Sequence, residues 1–427
     1  MQYTLAFFKK IWASKAVKRK LAFTALIFAA FRLLAAVPLP GVDTVALKSF
    51  ISGSDLFSLL NVFSGGTLIN FSIVAVGINA YITASIIMQL AGLLIPKIKE
   101  LQKEGEQGRE QVNSYTRMLA IPLAVFQSIS VLVLLRSQGL LVTEDPITIA
   151  AMVATLVAGS QLVMWLGEQV TRYGAGNGIS MILLAGILSQ IPVMISQFGV
   201  MATGDQMTVI IFGAILAFMV MLVIVFMNEA VRRIPVQYAR RVRGSRTYGG
   251  QMSFLPIKVN VTGVLPIIFA VTLMILPSFA SQIFLGTQIG TLQNIGRWLT
   301  VNFSQTSSLY MIVYFVIVFV FTYFSALVFF NADDLSKELK KSGAFVPGIR
   351  PGAATKKHLE FVVTRITLVG ATFLGFIAIL PIIAQNLTGI QQLAIGGTSV
   401  LIVVSVILET AKQLDSFLLE HNYDKYA

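Results

Sequence analysis

Histidines, cysteines and grouped carboxylates carry most catalytic and metal chemistry in proteins, and this sequence offers few of them. Its 427 residues include no cysteine and two histidines, His358 and His421, each beside charged residues that we expect to be solvated. Composition therefore excludes disulfides and thiolate metal sites, and it makes histidine chemistry improbable. The sequence also lacks a phosphate-binding loop, a paired-carboxylate constellation and a His-Glu-x-x-His zinc motif. We predict a protein that is not an enzyme and that uses neither a cofactor nor a metal.

The composition indicates a chain embedded in a membrane. Apolar residues make up 56% of it and charged residues only 12%, which is too little charge for the surface of a soluble domain. A helix needs roughly 20 apolar residues to cross a bilayer, and apolar runs of about that length recur along the whole chain. They predict an all-α polytopic membrane protein with ten spans, at 21–37, 71–95, 115–135, 147–167, 179–198, 208–228, 259–280, 309–330, 361–383 and 393–411.

A shorter apolar segment, 55–69, lies between the first two spans and is interrupted by Ser64, Gly65 and Gly66. It is too short to cross the membrane, and the glycines permit bends that a continuous helix would not tolerate. Irregular backbone survives at membrane depth only where it is buried in protein or lines a cavity. We predict a short re-entrant or plugging helix, and the alternative is a helix on the external surface.

The distribution of positive charge predicts the orientation. The N-terminus, the loops after spans 2, 4, 6 and 8, and the C-terminal tail, counted together with the adjoining span ends at Arg117 and Arg365, hold all but four of the 32 lysine and arginine residues. The exceptions are Arg32, inside the first span, and Lys48, Arg136 and Arg297 on the opposite side. Because cytoplasmic loops carry the excess of positive charge, both termini are predicted to be cytoplasmic.

Ten spans can divide into two halves of five, 1–200 and 201–427, and an odd number of spans in each half would make the halves inverted. No internal sequence repeat supports this division. The span interiors carry almost no ionisable residues, which argues against an ion-coupled transporter. A secondary transporter of a small solute is still the main alternative function, and a bundle that scaffolds other membrane proteins is the third.

Two aliphatic pairs share helical faces because their members lie four residues apart. They are Ile78 and Ile82 on span 2, and Leu183 and Ile187 on span 5. From spacing alone, ordinary packing against lipid or a neighbouring helix explains both pairs better than a special role.

A series of short motifs falls in one order along almost the whole chain. The motifs are Asp55-Leu56-Phe57, Ser64-Gly65-Gly66, Ala84-Ser85-Ile86-Ile87-Met88-Gln89-Leu90, Lys103-Glu104-Gly105-Glu106, Tyr115-Thr116-Arg117, Met164-Trp165-Leu166-Gly167-Glu168, Gly176-Asn177-Gly178-Ile179-Ser180, Arg232-Arg233-Ile234-Pro235-Val236-Gln237-Tyr238-Ala239, Lys258-Val259-Asn260, Gly348-Ile349-Arg350-Pro351-Gly352 and Gly396-Gly397-Thr398-Ser399. Each is weak alone, but the ordered set resembles the SecY family, the central channel subunits of Sec translocons.

The resemblance implies a channel for unfolded secretory polypeptides, with two inverted five-helix halves around a central pore. It adds Ile268 and Ile402 to the two aliphatic pairs, giving a pore ring of six that would resist ion passage by dewetting. It implies a plug at 55–69 that includes Asp55, Phe57, Ser64, Gly65, Gly66 and Thr67. It also implies a lateral gate between spans 2 and 7, near the uncharged polar residues Thr83, Gln89, Gln127 and Thr272. We expect these polar groups to pair across the helix interface, or simply to hold helices together.

Two cytoplasmic loops, 229–258 and 331–360, concentrate the positive charge. Orientation signal, attraction to anionic lipids and docking of a partner all explain such charge. The resemblance implies docking of the SecA motor ATPase and of ribosomal RNA, with Arg232, Arg233, Arg240, Arg241 and Arg350 as the candidate contacts. It also implies the small membrane subunits SecE and SecG, contacts with membrane lipids, signal sequences and nascent polypeptides as ligands, and the plasma membrane of a bacterium.

Overall fold

The structure, a computed structural model, is dominated by helices. It describes residues 14–52, 61, 64–142, 145–201, 206–238, 241–243, 246–248, 252–261, 263, 265–285, 287, 289–304, 307–388 and 392–423. The helices are α1 (Lys15–Ala36), α2 (Thr44–Ser52), α3 (Asn79–Leu94), α4 (Pro96–Lys103), α5 (Glu106–Ser137), α6 (Pro146–Tyr173), α7 (Gly178–Met201), α8 (Gln206–Glu229), α9 (Leu265–Leu285), α10 (Gly290–Asn302), α11 (Ser308–Phe329), α12 (Ala332–Lys341), α13 (Ala353–Thr388) and α14 (Gln392–Tyr423). The strands are β1 (Val231–Tyr238), β2 (Arg241–Arg243), β3 (Arg246–Tyr248), β4 (Met252–Lys258) and β5 (Ala344–Phe345).

Each predicted span coincides with one of these helices, and the multi-spanning helical fold is confirmed. Within the described residues, α5, α6, α11 and α13 lie in helices that are long and apolar enough to cross a membrane by themselves. A further pair, α3 and α4, would qualify together but is bent by 104°. The bend falls at Ile95, because a residue that precedes proline avoids the helical region and Pro96 opens α4. The helices are consistent with ten crossings.

The second span departs from its prediction, because its helix begins at Asn79 and not near residue 71. Residues 64–78 form a series of turns, with positive φ at Phe71 and Gly77. The apolar run that predicts a helix here also suits backbone buried inside protein, and Phe71 and Val74 are completely buried. Protein groups supply the missing backbone partners, as when the Ser160 hydroxyl donates to the Gly77 carbonyl at 2.8 Å.

Helix α6 holds this irregular segment through a glycine. A Cβ added at Gly159 would overlap the backbone carbonyl oxygen of Ile73. We expect Gly159→Ala to lower the free energy of unfolding by about 1–3 kcal/mol, because the clash is with backbone that cannot rotate away. Thermal unfolding of the purified protein measures this loss of stability. Gly290→Ala is the matched control, since a Cβ there meets nothing within 4 Å, and an equal loss in both variants would contradict the packing argument.

The loop 229–258 is the exception to the all-α prediction, because it folds as strands. β1 pairs antiparallel with β4 from Val231↔Lys258 to Gln237↔Met252, and its last residues pair with β5. The cause is an alternation in β1 that repeats every two residues and buries Ile234 and Val236 on one face. The strand β5 belongs to the loop 331–360, so the two basic loops form one body. It lies on the side predicted to be cytoplasmic and is called the cytoplasmic body for that reason.

Two large apolar clusters make up the core of the bundle. The smaller is built only from segments of the first half, and the larger takes residues from α1, α3, α6 and α7 together with α8, α9, α11, α13 and α14. The division of the chain near residue 200 stays a prediction. The sharing of one large core by both halves is what brings the candidate pore residues together.

Candidate functional site

The six predicted ring residues lie together in the larger core cluster. Ile82 is on α3, with Ile78 directly before that helix; Leu183 and Ile187 are on α7; Ile268 is on α9 and Ile402 on α14. None of the six is exposed by more than 6%, and Ile402 is fully buried. Four segments, two from each half of the chain, thus contribute aliphatic side chains to one buried cluster.

Such a cluster has a definite physical property. Branched aliphatic side chains offer water no hydrogen-bond partner, so a narrow neck made of them resists wetting and the passage of ions. Their contacts are non-directional, and they would close around any polypeptide without selecting particular polar groups. The arrangement suits a constriction that seals at rest and yields to a variable chain.

The described part of the plug packs directly beside this cluster. Asp55 and Phe57 lie outside the described residues, whereas Ser64, Gly65, Gly66 and Thr67 are buried. A Cβ added at Gly65 would lie 2.9 Å from the Cα of Gly186, the residue of α7 between the two ring positions. This contact excludes any larger residue at either glycine.

Hydrogen bonds to Asn61 hold the same segment in shape. The Asn61 carbonyl accepts bonds from the Gly66 amide at 2.7 Å and from the Ser64 hydroxyl at 3.0 Å. Its side-chain oxygen accepts a bond from the Ile69 amide at 2.9 Å. The segment therefore keeps a compact shape of its own through local polar bonds, in addition to its apolar contacts.

Sequence reasoning missed one residue at this site, Arg32 of α1. Its Nη1 donates a hydrogen bond to the carbonyl oxygen of Gly65 at 2.7 Å. The signal was present, because an ionisable residue inside a span usually has a function and a specific partner. The partner could not be found from the sequence, since it is a backbone atom 33 residues away.

The four predicted gate residues behave differently from expectation. All of Thr83, Gln89, Gln127 and Thr272 are partly buried. The Thr83 and Thr272 hydroxyls each donate to the carbonyl four residues earlier in the same helix, at 2.9 Å, and the Gln89 amide donates to the Ser85 hydroxyl at 3.4 Å. Each of these three hydrogen bonds stays within one helix and gives no pairing across the interface, and the gate itself stays a prediction. Hydroxyl groups in apolar surroundings often donate to a carbonyl of their own helix. Helices α3 and α9 both contribute apolar residues to the larger core cluster.

The predicted docking residues lie on the cytoplasmic body. Arg232 and Arg233 are exposed on β1, and Arg350 is exposed in the turn before α13. Arg241 lies in β2, whose side chains the structure does not describe, and Arg240 lies outside the described residues. A small apolar core supports the body, built from Ile234, Ile257, Ala332, Val346, Leu359 and Val363. The body thus carries exposed arginines on a packed base.

One ion-pair network links α12 to α13 on this body. Asp333 contacts Lys337 at 2.6 Å and Lys356 at 3.4 Å. The hydrogen bond from Lys337 lowers the pKa of the Asp333 carboxyl, and the bond from Lys356 acts in the same direction. Lys356 is therefore already paired with a carboxylate. Arg350 takes part in none of the ion pairs found among the described residues.

A multi-spanning helical bundle with buried aliphatic residues from both halves in one core, and a short buried segment beside them, fits the class of membrane channels. The family model described as SecY matches residues 72–411. The chain is similar to protein translocase subunits SecY of Thermus thermophilus and Staphylococcus aureus, each at 40% identity; the first match covers 98% of this chain and 97% of the relative, the second 96% of each. The chain belongs to the SecY family.

Solved structures agree in fold. One titled "The structure of a protein conducting channel" has a TM-score of 0.64 at 18% identity and covers 95% of this chain and 92% of its own. Another, of Sec61 in a canine ribosome-channel complex from the endoplasmic reticulum, has a TM-score of 0.55 at 16% identity and covers 95% of this chain and 92% of its own. The chain is a multi-pass membrane protein of protein-conducting channels, and the alternative of a small-solute transporter is not favoured.

Proposed function

We propose that this chain conducts unfolded secretory polypeptides through the neck formed by its six ring residues. The observation that carries the proposal is the meeting of Ile78, Ile82, Leu183, Ile187, Ile268 and Ile402 in one buried cluster drawn from both halves. The opening step is a separation of α3 from α9 by an inserted signal sequence. The plug then moves aside, and apolar segments of the substrate leave sideways into lipid.

The seam between α3 and α9 suits such an opening. Its polar side chains are satisfied within their own helices, so parting the helices breaks apolar contacts and leaves these bonds intact. Apolar contacts inside a lipid bilayer gain little from the hydrophobic effect, because lipid tails are equally apolar. The seam therefore separates at modest cost, and an apolar signal helix can replace the contacts that are lost.

The driving force is supplied by a partner in this proposal. The partners are the SecA motor or a ribosome on the cytoplasmic body, with SecE and SecG beside the bundle. Similarity to the ribosome-bound canine channel and to a yeast Ssh1 complex on a ribosome supports a ribosome as one of these partners. The relatives of known sequence above are bacterial, which supports placement in a bacterial plasma membrane with cytoplasmic termini.

Deleting residues 55–69 tests the gating part of the proposal. We expect the resting ion conductance in planar bilayers to rise, because the buried residues 64–67 beside the neck are removed. Transport of a signal-bearing polypeptide into vesicles should largely persist, since the ring and the seam remain. An unchanged resting conductance would assign the segment to the surface, and a loss of transport with no leak would contradict a plug.

The conducting activity itself is tested with the unmodified chain. The chain, purified with its small subunits and placed in vesicles, should import a signal-bearing polypeptide when the motor and ATP are added, and should leave the same polypeptide outside when its signal is removed. Import of neither polypeptide, together with uptake of a small solute, would favour the rival transporter.

A further inference from the structure

We propose that Arg32 is a latch that holds the plug closed, acting through the backbone of Gly65. This inference rests on the proposed function and adds the residue that sets the resting state. The guanidinium donates through Nη1 to the Gly65 carbonyl at 2.7 Å, and the two residues belong to separate segments. Arg32 is a positioning residue here, because it touches the plug and not the ring.

The chemistry of the pair favours a strong and specific contact. A guanidinium stays protonated in proteins and is costly to place within a membrane unless a fixed dipole or charge faces it. The Gly65 carbonyl supplies such a dipole, and hydrogen bonds to charged groups are stronger than those between neutral groups. Releasing the plug from Arg32 therefore costs more than releasing an apolar segment of the same size.

The geometry shows why the partner is backbone. Gly65 has φ +77°, and its Cα faces the Cα of Gly186 on α7, with no room for a side chain on either residue. Phe31, which precedes Arg32 on α1, lies on another side, since a Cβ on Gly65 would come within 3.2 Å of its ring. Neighbouring residues of α1 thus fix Gly65 in two ways, by ring contact and by hydrogen bond.

A second variant disturbs the same contact from the opposite side. A Cβ at Gly186 would overlap the Cα of Gly65, so Gly186→Ala should push the plug away from α7 without altering Arg32. If Arg32 and Gly186 act on one closed state, both substitutions release the plug. Arg32→Lys keeps a cationic donor, now a single ammonium on a flexible stem, and should release the plug less than Arg32→Gln does.

The experiment uses the absence of native cysteines. Thr67→Cys places one reporter on the plug, at a residue with no exposed surface. In the complex held in lipid nanodiscs, a small water-soluble maleimide should label this cysteine slowly. Arg32→Gln should raise the labelling rate about ten-fold to hundred-fold, as expected for loss of a hydrogen bond to a charged group. Gly186→Ala should raise it as well.

Thr322→Cys is the matched control reporter, because Thr322 is a buried threonine of α11, outside the plug and outside α1. An unchanged rate at Thr67→Cys in the Arg32→Gln variant would overturn the latch. Equal rises at both reporters would also overturn it, since Arg32 would then support the whole bundle. Labelling is read without any transport, so failure of the unsubstituted complex to import a polypeptide would count against the proposed function alone.

Discussion

Replacing Ile402 by asparagine is expected to raise the resting ion conductance of the channel about ten-fold or more. Ile402 is fully buried in the cluster that holds the six ring residues. An amide buried there without a partner costs about 1–3 kcal/mol, and every 1.4 kcal/mol shifts an equilibrium ten-fold. The penalty falls on the closed, dry state and is relieved when water enters the neck. Single-channel recordings in planar bilayers measure the change.

The same substitution should relax the requirement for a good signal sequence, because the closed state is no longer favoured as strongly. Import of a polypeptide with a weakened signal into vesicles is the second measurement. Ile402→Leu is the control, since a volume-conserving aliphatic swap keeps the neck dry. A resting conductance of Ile402→Asn equal to that of Ile402→Leu would remove Ile402 from the constriction.

The transmembrane bundle could be predicted from the sequence because one physical requirement dominates it. A helix that crosses lipid must be apolar for about 20 residues, and such runs are visible without a structure. The ring was only partly visible. The pairs Ile78 with Ile82 and Leu183 with Ile187 follow from helical spacing, but nothing local to Ile268 or Ile402 separates them from other aliphatic residues. Those two residues were assigned to the ring because the sequence resembles the SecY family.

The features that could not be predicted depend on contacts between distant segments. Residues 71–78 are as apolar as a helix would be, and their turns persist because Gly159 and Ser160 of α6 accommodate them. Arg32 was visible as an unusual charge, whereas the Gly65 carbonyl that receives its hydrogen bond was not. The strand pairing of the basic loops was not predicted, because the alternation that buries Ile234 and Val236 is short and lies among exposed charged residues.

The cytoplasmic body offers a test between general positive charge and a specific docking contact, centred on Arg350. Arg350 lies in a turn between two glycines with positive φ, Gly348 at +79° and Gly352 at +104°. The Thr355 hydroxyl donates to the Arg350 carbonyl at 2.9 Å. Because hydrogen bonds hold the backbone of this turn, binding a partner would have to order only the exposed Arg350 side chain.

Arg350→Glu is therefore expected to abolish motor-driven secretion, while membrane insertion and assembly with small subunits survive because the spans are unchanged. Lys357→Glu is the matched control: it is exposed, seven residues away on α13, and makes the same change in charge. Lys356 would be a poor control, because it pairs with Asp333 and its reversal would place two carboxylates together.

The measurement is ATP-dependent import into vesicles that contain equal amounts of each variant. If positive charge alone attracts the partner, the two reversals must slow import equally. A docking site requires import to stop with Arg350→Glu and to continue with Lys357→Glu.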